Sequence, residues 1–383
     1  MNDSKENLIV GLRVPLARPW ITDDESDAGH DVIRSGWLIF GPRVAEFEER
    51  FAALLGVRHA IAVNNGSSAL LCTMWALGLG PGDEIIAPDV SFVSTASAAL
   101  FLGAQVRFSD ISLDTYCMDA ADVERHITPR TKLLVPVHLA GHSADMQPLA
   151  EIAERHGLQI LEDSAESHLA RYQGATFTGT IGRAGIFSFT PSKPMTTGEG
   201  GMIVTNDDKV AERCRLFRNF GDTDKFQWDF LGFNFRMPEV MGAIGAIQLE
   251  KLPEAVRRRR EIAHRYNAAF APRPELVIPP ERDPEDTNYQ LYTLRLRRGA
   301  TSWHRDELLA AMADRGVSAR LYYPALHRAG VFAACGPFHD RDYPNTIEYV
   351  ETALSLPIYP TLTGEEQDYV IECLCNLLDF AKS

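Results

Sequence analysis

Short, continuous apolar runs alternate with segments of helical period through the first two-thirds of this chain, and that alternation constrains the fold more than any other feature. Candidate strands are Ala60–Val63, Glu84–Ala87, Gln105–Ser109, Lys132–Val137, Leu158–Glu162, Gly185–Phe189 and Met202–Thr205. Unbroken apolar runs of this length suit strands buried on both faces. Between them lie helical patterns: in Pro42–Leu55 the apolar residues Val44, Phe47, Phe51 and Leu55 recur at helical spacing. Met146–His156 and Val210–Arg218 read in the same way. Seven strands separated by helices predict an α/β domain with a mainly parallel seven-stranded sheet. Such sheets bind ligands at the carboxyl ends of their strands, where loops meet helix N-termini.

From about Leu252 the texture changes. A basic helix carrying Arg257, Arg258, Arg259 and Arg260 is expected after Pro253, its charges forming a solvated face. A strand over Tyr289–Leu296, a helix around Glu307–Arg315, a short strand at Ser318–Tyr322 and a last helix at Gly364–Phe380 complete a smaller α+β domain. The expected division is a large α/β domain over 1–251, with an N-terminal arm, and a small C-terminal domain over 252–383.

Composition excludes several classes. With 45% apolar and 23% charged residues the chain is an ordinary globular one, too apolar for disorder. The net charge of −14 opposes a phosphate backbone, so no nucleic-acid partner is expected. The longest apolar runs, such as Ala98–Ala104, fall short of the ~20 residues a bilayer span needs. Met1–Asn7 is polar and lacks the apolar core of a secretion signal. The six cysteines are scattered apart from Cys373 and Cys375, without nearby histidines, and read as reduced, mostly buried thiols rather than a metal site. A cytoplasmic protein without a metal is the expectation.

Three stretches carry chemistry. In LQILEDSAESH a buried strand ends in Glu162 and Asp163, which alternation points to opposite sides. Asp163 is either a helix cap or a carboxylate facing a ligand. In GIFSFTPSKPMTTGEGGMIV, Lys193 lies in a loop with Gly198, Gly200 and Gly201, a sequence built for close backbone approach. Desolvation in such a loop lowers a lysine's pKa and makes it nucleophilic. In AIAVNNGSSAL a strand runs through Gly66, Ser67 and Ser68 into an apolar helix, whose N-terminus offers an anion site or simply a cap. Together these supply what pyridoxal 5′-phosphate (PLP) requires: an amine, an acid for the pyridine nitrogen and a phosphate cradle.

In these motifs the chain resembles the DegT/DnrJ/EryC1/StrS family of PLP-dependent sugar aminotransferases, which have the aspartate aminotransferase fold, type I. The resemblance covers nearly the whole chain and includes SGWLIFGPRVAEFEERFAALLGVRHAIAVNNGSSAL, PVHLAGHSADM, LEDSAESH, FSFTPSKPMTTGEGGMI and GFNFRMPEVMGAIGAIQLEKL. It implies that Lys193 forms the Schiff base with the cofactor and that Asp163 holds the protonated pyridine nitrogen. It places Phe92 on the cofactor ring, Gly66, Ser67 and Ser188 at the phosphate, and Asn234 at the phosphate of the neighbouring subunit. A homodimer is then the smallest competent unit. Many members carry Gln where this chain has Glu166. That departure leads to the expectation that Glu166 is protonated and donates to the cofactor's phenolic oxygen, because two facing anions raise a carboxyl pKa. Trp37, Tyr323 and His327 lie in stretches resembling those that line the family's sugar pocket.

The implied reaction is a ping-pong transamination. L-Glutamate donates the amino group, and the acceptor is a keto-sugar, a nucleotide-linked 3- or 4-keto-6-deoxyhexose, with a free keto-cyclitol as the alternative. Family members that dehydrate sugars replace the lysine by histidine, so Lys193 favours transamination. A non-catalytic relative that binds sugar or cofactor is the alternative of another class; retention of Lys193 and Asp163 argues against it. A dehydrogenase would need a glycine fingerprint that VNNGSS does not supply.

Overall fold

A computed structural model describes residues 13–224, 226–279 and 286–380. The expectation about Met1–Asn7 and both outer ends of the expected domains therefore lie outside the described residues. The large sheet has seven strands: β1 (His59–Val63), β2 (Glu84–Pro88), β3 (Gln105–Ser109), β4 (Thr131–Leu134), β5 (Gln159–Asp163), β6 (Ala184–Ser188) and β7 (Gly201–Thr205), in the order β1-β7-β6-β5-β4-β2-β3. Strands β2 to β6 pair in parallel, and β7 runs against both β6 and β1. Beyond β4 the chain stays beside β5 through a bridge between Val137 and Asp163.

Alternation along the strands feeds two helical layers. After α1 (Asp23–Ser35) and α2 (Pro42–Leu55), Ile85, Leu133 and Leu161 turn to one face, where they meet Leu70 and Met74 of α3 (Gly66–Ala76), Ala96 and Ala99 of α4 (Ser94–Phe101), and Cys214 and Phe217. Their neighbours Ile86, Leu134 and Ile160 turn to the other face, against Val123, Leu149 and Ile152. At the β1 edge, Phe47 and Phe51 of the Pro42–Leu55 helix pack on Ala60, Ala62, Phe187 and Phe189.

The C-terminal part has a three-stranded antiparallel sheet, β8 (Leu276–Val277), β9 (Tyr292–Leu296) and β10 (Ala353–Leu356). Helices Arg305–Asp314 and Gly364–Phe380 cover it around Leu294, Leu308, Met312, Leu354 and Leu374. Val14 joins this core and bridges to Val317, so the N-terminal segment packs with the C-terminal part. Among the described residues, no helix is long and apolar enough to cross a membrane.

Three local expectations are corrected. No helix begins after Pro253: a single helix, Glu239–Phe270, runs through it and through the expected domain boundary. Leu249, Leu252 and Val256 bury on one stripe across that proline, and their packing holds the helix together despite the lost backbone donor. The arginine run is not uniformly solvated. Arg257 and Arg258 pair outside with Glu254, but Arg259 is buried and donates to the carbonyls of Tyr289, Gln290 and Ile358 at 3.1–3.2 Å. Burial lowers its pKa to about 10, still far above neutrality. Ser318–Tyr322 forms no ladder; its backbone is tied by an isolated bridge from Arg320 to Ser355.

Candidate active site

The carboxyl ends of β1, β2, β5 and β6 open on one cavity of about 520 Å³. That volume lies in the range of small-molecule sites. Its lining includes Gly66, Ser67, Phe92, Asp163, Glu166, Ser188, Lys193 and Tyr323, so eight of the eleven residues singled out from sequence meet in one place.

Each arrives by a local rule. Asn65 caps α3, its Oδ1 accepting the Ser68 N–H at 2.8 Å. Gly66 and Ser67 therefore occupy the first turn, where helix N–H groups have no internal partner. The β1 and β6 ends close tightly there: a Cβ on Gly66 would lie 2.9 Å from Cβ of Ser188. Strand alternation separates Glu162 from Asp163 as expected. Glu162 turns away from the cavity and accepts from the backbone of Gly179, Ile181 and Gly182 and from His138 Nε2.

Asp163 turns toward the cavity and is buried. Its Oδ2 accepts from the Thr95 hydroxyl at 2.7 Å and its Oδ1 from the Ala165 N–H at 3.1 Å. Burial raises its pKa above the ordinary value, while these two bonds and the nearby Lys193 charge pull it back. The Lys193 Nζ donates to Glu166 Oε1 at 3.1 Å. Tyr323 donates its hydroxyl to the same oxygen at 2.7 Å, and the Ala140 N–H reaches Oε2 at 2.9 Å. Burial first, and the Glu166 charge second, push the Tyr323 phenol well above its ordinary pKa. Phe92 stands edge-on to Tyr323, with ring centroids 5.8 Å apart. Beneath the cavity, His168 lies against Phe187 and Phe189. Burial and the charges of Lys193 and Arg259 hold it neutral, with a pKa near 3.

Trp37, Asn234 and His327 are not brought to this lining. Trp37 is exposed, its indole N–H bonded to the Ile39 carbonyl. Asn234 bridges to Asn219 on a separate stretch. His327 is buried between Asp89 and Asp340. Conversely, sequence reasoning missed Thr95, the partner of Asp163, and Tyr322 and Glu199, which line the cavity. Thr95 lies three residues after Phe92, and its position at the start of α4 was the available signal.

Comparison with known proteins agrees with this geometry. The DegT/DnrJ/EryC1/StrS aminotransferase family matches over residues 19–375. The chain belongs to that family. It is 34% identical over 379 residues to the spore coat polysaccharide biosynthesis protein SpsC of Bacillus subtilis, covering 95% of this chain and 97% of SpsC. It is 35% identical over 370 residues to GDP-perosamine synthase of Caulobacter vibrioides, covering 96% and 98% of the two chains. The crystal structure of DesV from S. venezuelae, in complex with a ketimine intermediate, superposes with a TM-score of 0.87 at 34% identity, covering 96% of this chain and all of DesV. The family is one of aminotransferases, enzymes that transfer nitrogenous groups, and the mixed α/β fold with its seven-stranded sheet is shared with aminotransferase TlmJ of Streptoalloteichus hindustanus, at a TM-score of 0.90 and 32% identity over 97% of this chain and all of TlmJ.

Proposed function

We propose that the chain is a PLP-dependent aminotransferase that converts a nucleotide-linked 3- or 4-keto-6-deoxyhexose into an aminosugar, with L-glutamate as donor. The observation that carries this reading is the convergence of Lys193, Asp163 and the α3 N-terminus on one cavity. The donor set suits PLP. Gly66, Ser67 and Ser188 form a cradle too tight for an added Cβ, and they would hold the phosphate. Asp163, whose carboxyl oxygens accept from Thr95 and Ala165, would face the pyridine nitrogen. Phe92 would cover a ring face. PLP, when bound, supplies an aldehyde that joins amines and a ring that absorbs the electron pair left when a Cα–H bond breaks.

The chain's own residues do the rest. Lys193 must shed a proton to become a nucleophile, and Glu166 Oε1, 3.1 Å from Nζ, is placed to take it. With a proton on it, Glu166 would donate to the cofactor's phenolic oxygen. The Lys193 amine would also be placed to take a proton from the donor's Cα and to return it. Tyr323, fixed on Glu166, lines the same cavity.

A homodimer fits the surface. Phe226, Trp228, Phe230, Leu231 and Phe233 are exposed together with Trp37, Leu38, Ile39 and Phe40, more apolar surface than a monomer usually leaves to water. Pairing would let Asn234 of one subunit complete the phosphate site of the other. Within one subunit the lining holds Lys193 against Asp163, Glu166 and Glu199, a poor match for a diphosphate. Six cysteines outside any disulfide, four of them buried, suit a reducing cytoplasm. The similarity to GDP-perosamine synthase supports a nucleotide-linked acceptor. The test is incubation of the PLP-loaded protein with L-glutamate and a panel of nucleotide-linked keto-sugars and keto-cyclitols, followed by mass spectrometry. An aminosugar formed in step with 2-oxoglutarate supports the proposal. Ammonia released without any acceptor overturns it.

A further inference from the structure

His327, expected at the sugar pocket, is instead built into a buried ion cluster that joins two cavity walls. Asp89 ends one wall segment: it follows β2 and leads directly into Ser91, Phe92 and Thr95. His327 ends the other, which carries Tyr322 and Tyr323. The two segments are stitched by the Leu326 N–H on the Asp89 carbonyl at 2.8 Å and by a bridge between Val90 and Ala325. The Asp89 carboxylate then takes both the His327 N–H, at 2.7 Å on Oδ1, and the ring Nδ1, at 2.5 Å on Oδ2. On the far side the ring Nε2 lies 2.9 Å from Asp340 Oδ1. The ring stacks on Tyr343 at 4.7 Å, and Arg328 holds Asp340 from outside.

We infer that His327 is a positioning residue for the cavity: a doubly donating ring that locks the wall bearing Phe92 and Thr95 to the wall bearing Tyr322 and Tyr323. Both ring nitrogens face carboxylates, and a neutral imidazole can donate through only one of them. The charged form is therefore the one the geometry satisfies. Burial opposes that charge, but the bonds to Asp89 and Asp340 outweigh it and raise the ring above its ordinary pKa. Burial raises the Asp89 carboxyl as well, with Asp110 behind it, so the shared proton is held tightly by the pair. The other charged or titratable groups around the ring are Arg328, on Asp340, and Tyr343. The two bonds are not equal. Asp89 is fully buried whereas Asp340 is 57% exposed, so water replaces the outer partner but not the inner one.

The inference takes its meaning for catalysis from the proposed PLP reading, but its test does not depend on that reading. His327→Asn keeps an amide donor at the Nδ1 position, toward Asp89; His327→Gln keeps one at the Nε2 position, toward Asp340. Hydrogen exchange is followed by mass spectrometry in peptides covering residues 89–101 and 320–328. In His327→Gln both segments are expected to exchange about tenfold faster, together, while His327→Asn and Asp340→Asn stay close to the wild type. The wild type supplies a second readout that needs no variant. Because the ring's folded pKa is raised, its stabilisation is present at low pH and lost as pH rises through that value. Protection of both segments, corrected for the intrinsic rate, should fall together there. In PLP-supplemented protein, the induced circular dichroism of the cofactor should change in His327→Gln and be restored in His327→Asn. Three results would overturn the inference: segments that loosen independently, Asn no better than Gln, or a loss of protection spread evenly over the whole chain. A wild type that captures no PLP would defeat the cofactor reading alone, since hydrogen exchange still decides the clamp.

Discussion

Replacing Gly66 with alanine tests whether the β1–β6 closure is a phosphate cradle or only a packing contact. The new Cβ would stand 2.9 Å from Ser188 Cβ and 3.2 Å from its Oγ. Carbon atoms rest comfortably at about 3.5–4.0 Å, so the two strand ends must part by roughly half an ångström. Overpacking of this kind costs about 1–3 kcal/mol. Gly66 is the first residue of α3, where alanine returns about 0.5–1 kcal/mol of helix propensity. The net loss in stability is then small, no more than about 2.5 kcal/mol, and the melting temperature falls by only a few degrees. Cofactor binding should suffer more. Half an ångström is enough to spoil a charge-assisted hydrogen bond worth roughly 1.5–3 kcal/mol, a ten- to hundredfold weaker Kd for PLP. Fluorescence titration with PLP and thermal unfolding at fixed protein concentration measure the two effects separately. Adding Ser188→Gly removes the facing Cβ, so the double variant should recover the stability lost to the clash while PLP binding stays weak, because the hydroxyl is gone. Unchanged PLP affinity in Gly66→Ala, or no coupling in the double-mutant cycle, would refute the reasoning.

Two further substitutions follow from buried charges. Asp163→Asn keeps the acceptor for the Ala165 N–H and offers an amide to Thr95, so the apo-protein should be at least as stable as the wild type at neutral pH. Burial raises the Asp163 pKa, so the wild type loses stability as pH rises through the folded value, and the variant's advantage should vanish at low pH. Thermal scans across pH check this, and an advantage independent of pH would contradict it. Arg259→Met strips the donor from three carbonyls and should cost at least about 2 kcal/mol, read as a lowered melting temperature; a change below about 0.5 kcal/mol would show that the bonds are dispensable.

Much of this architecture was legible because parallel strands buried on both faces are unbroken apolar runs, and β2, β6 and β7 are buried at every position. The site was legible where chemistry is local: a strand running through Gly66, Ser67 and Ser68 into an apolar helix marks a helix N-terminus, and a strand ending in Glu162 and Asp163 separates two carboxylates by alternation alone. What failed was decided at a distance. Arg259 reads as one of four surface charges, and its burial depends on carbonyls of residues 289, 290 and 358 arriving around it. Thr95 is an unremarkable hydroxyl until Asp163, 68 residues away, meets it. His327 was assigned to the pocket from the motif around it, but Asp89 lies 238 residues before it and draws the ring beneath the wall. Pro253 marks a helix boundary in most sequences, and here packing on both sides overrides it.

The central claim is that Lys193 carries the cofactor. The most direct measurement is reduction of the PLP-supplemented protein with borohydride, followed by peptide mapping, beside Lys193→Ala. The account predicts one adduct per chain, on Lys193, and loss of that adduct in Lys193→Ala. Adducts on other lysines, such as the exposed Lys209, equal in the two proteins, would contradict it.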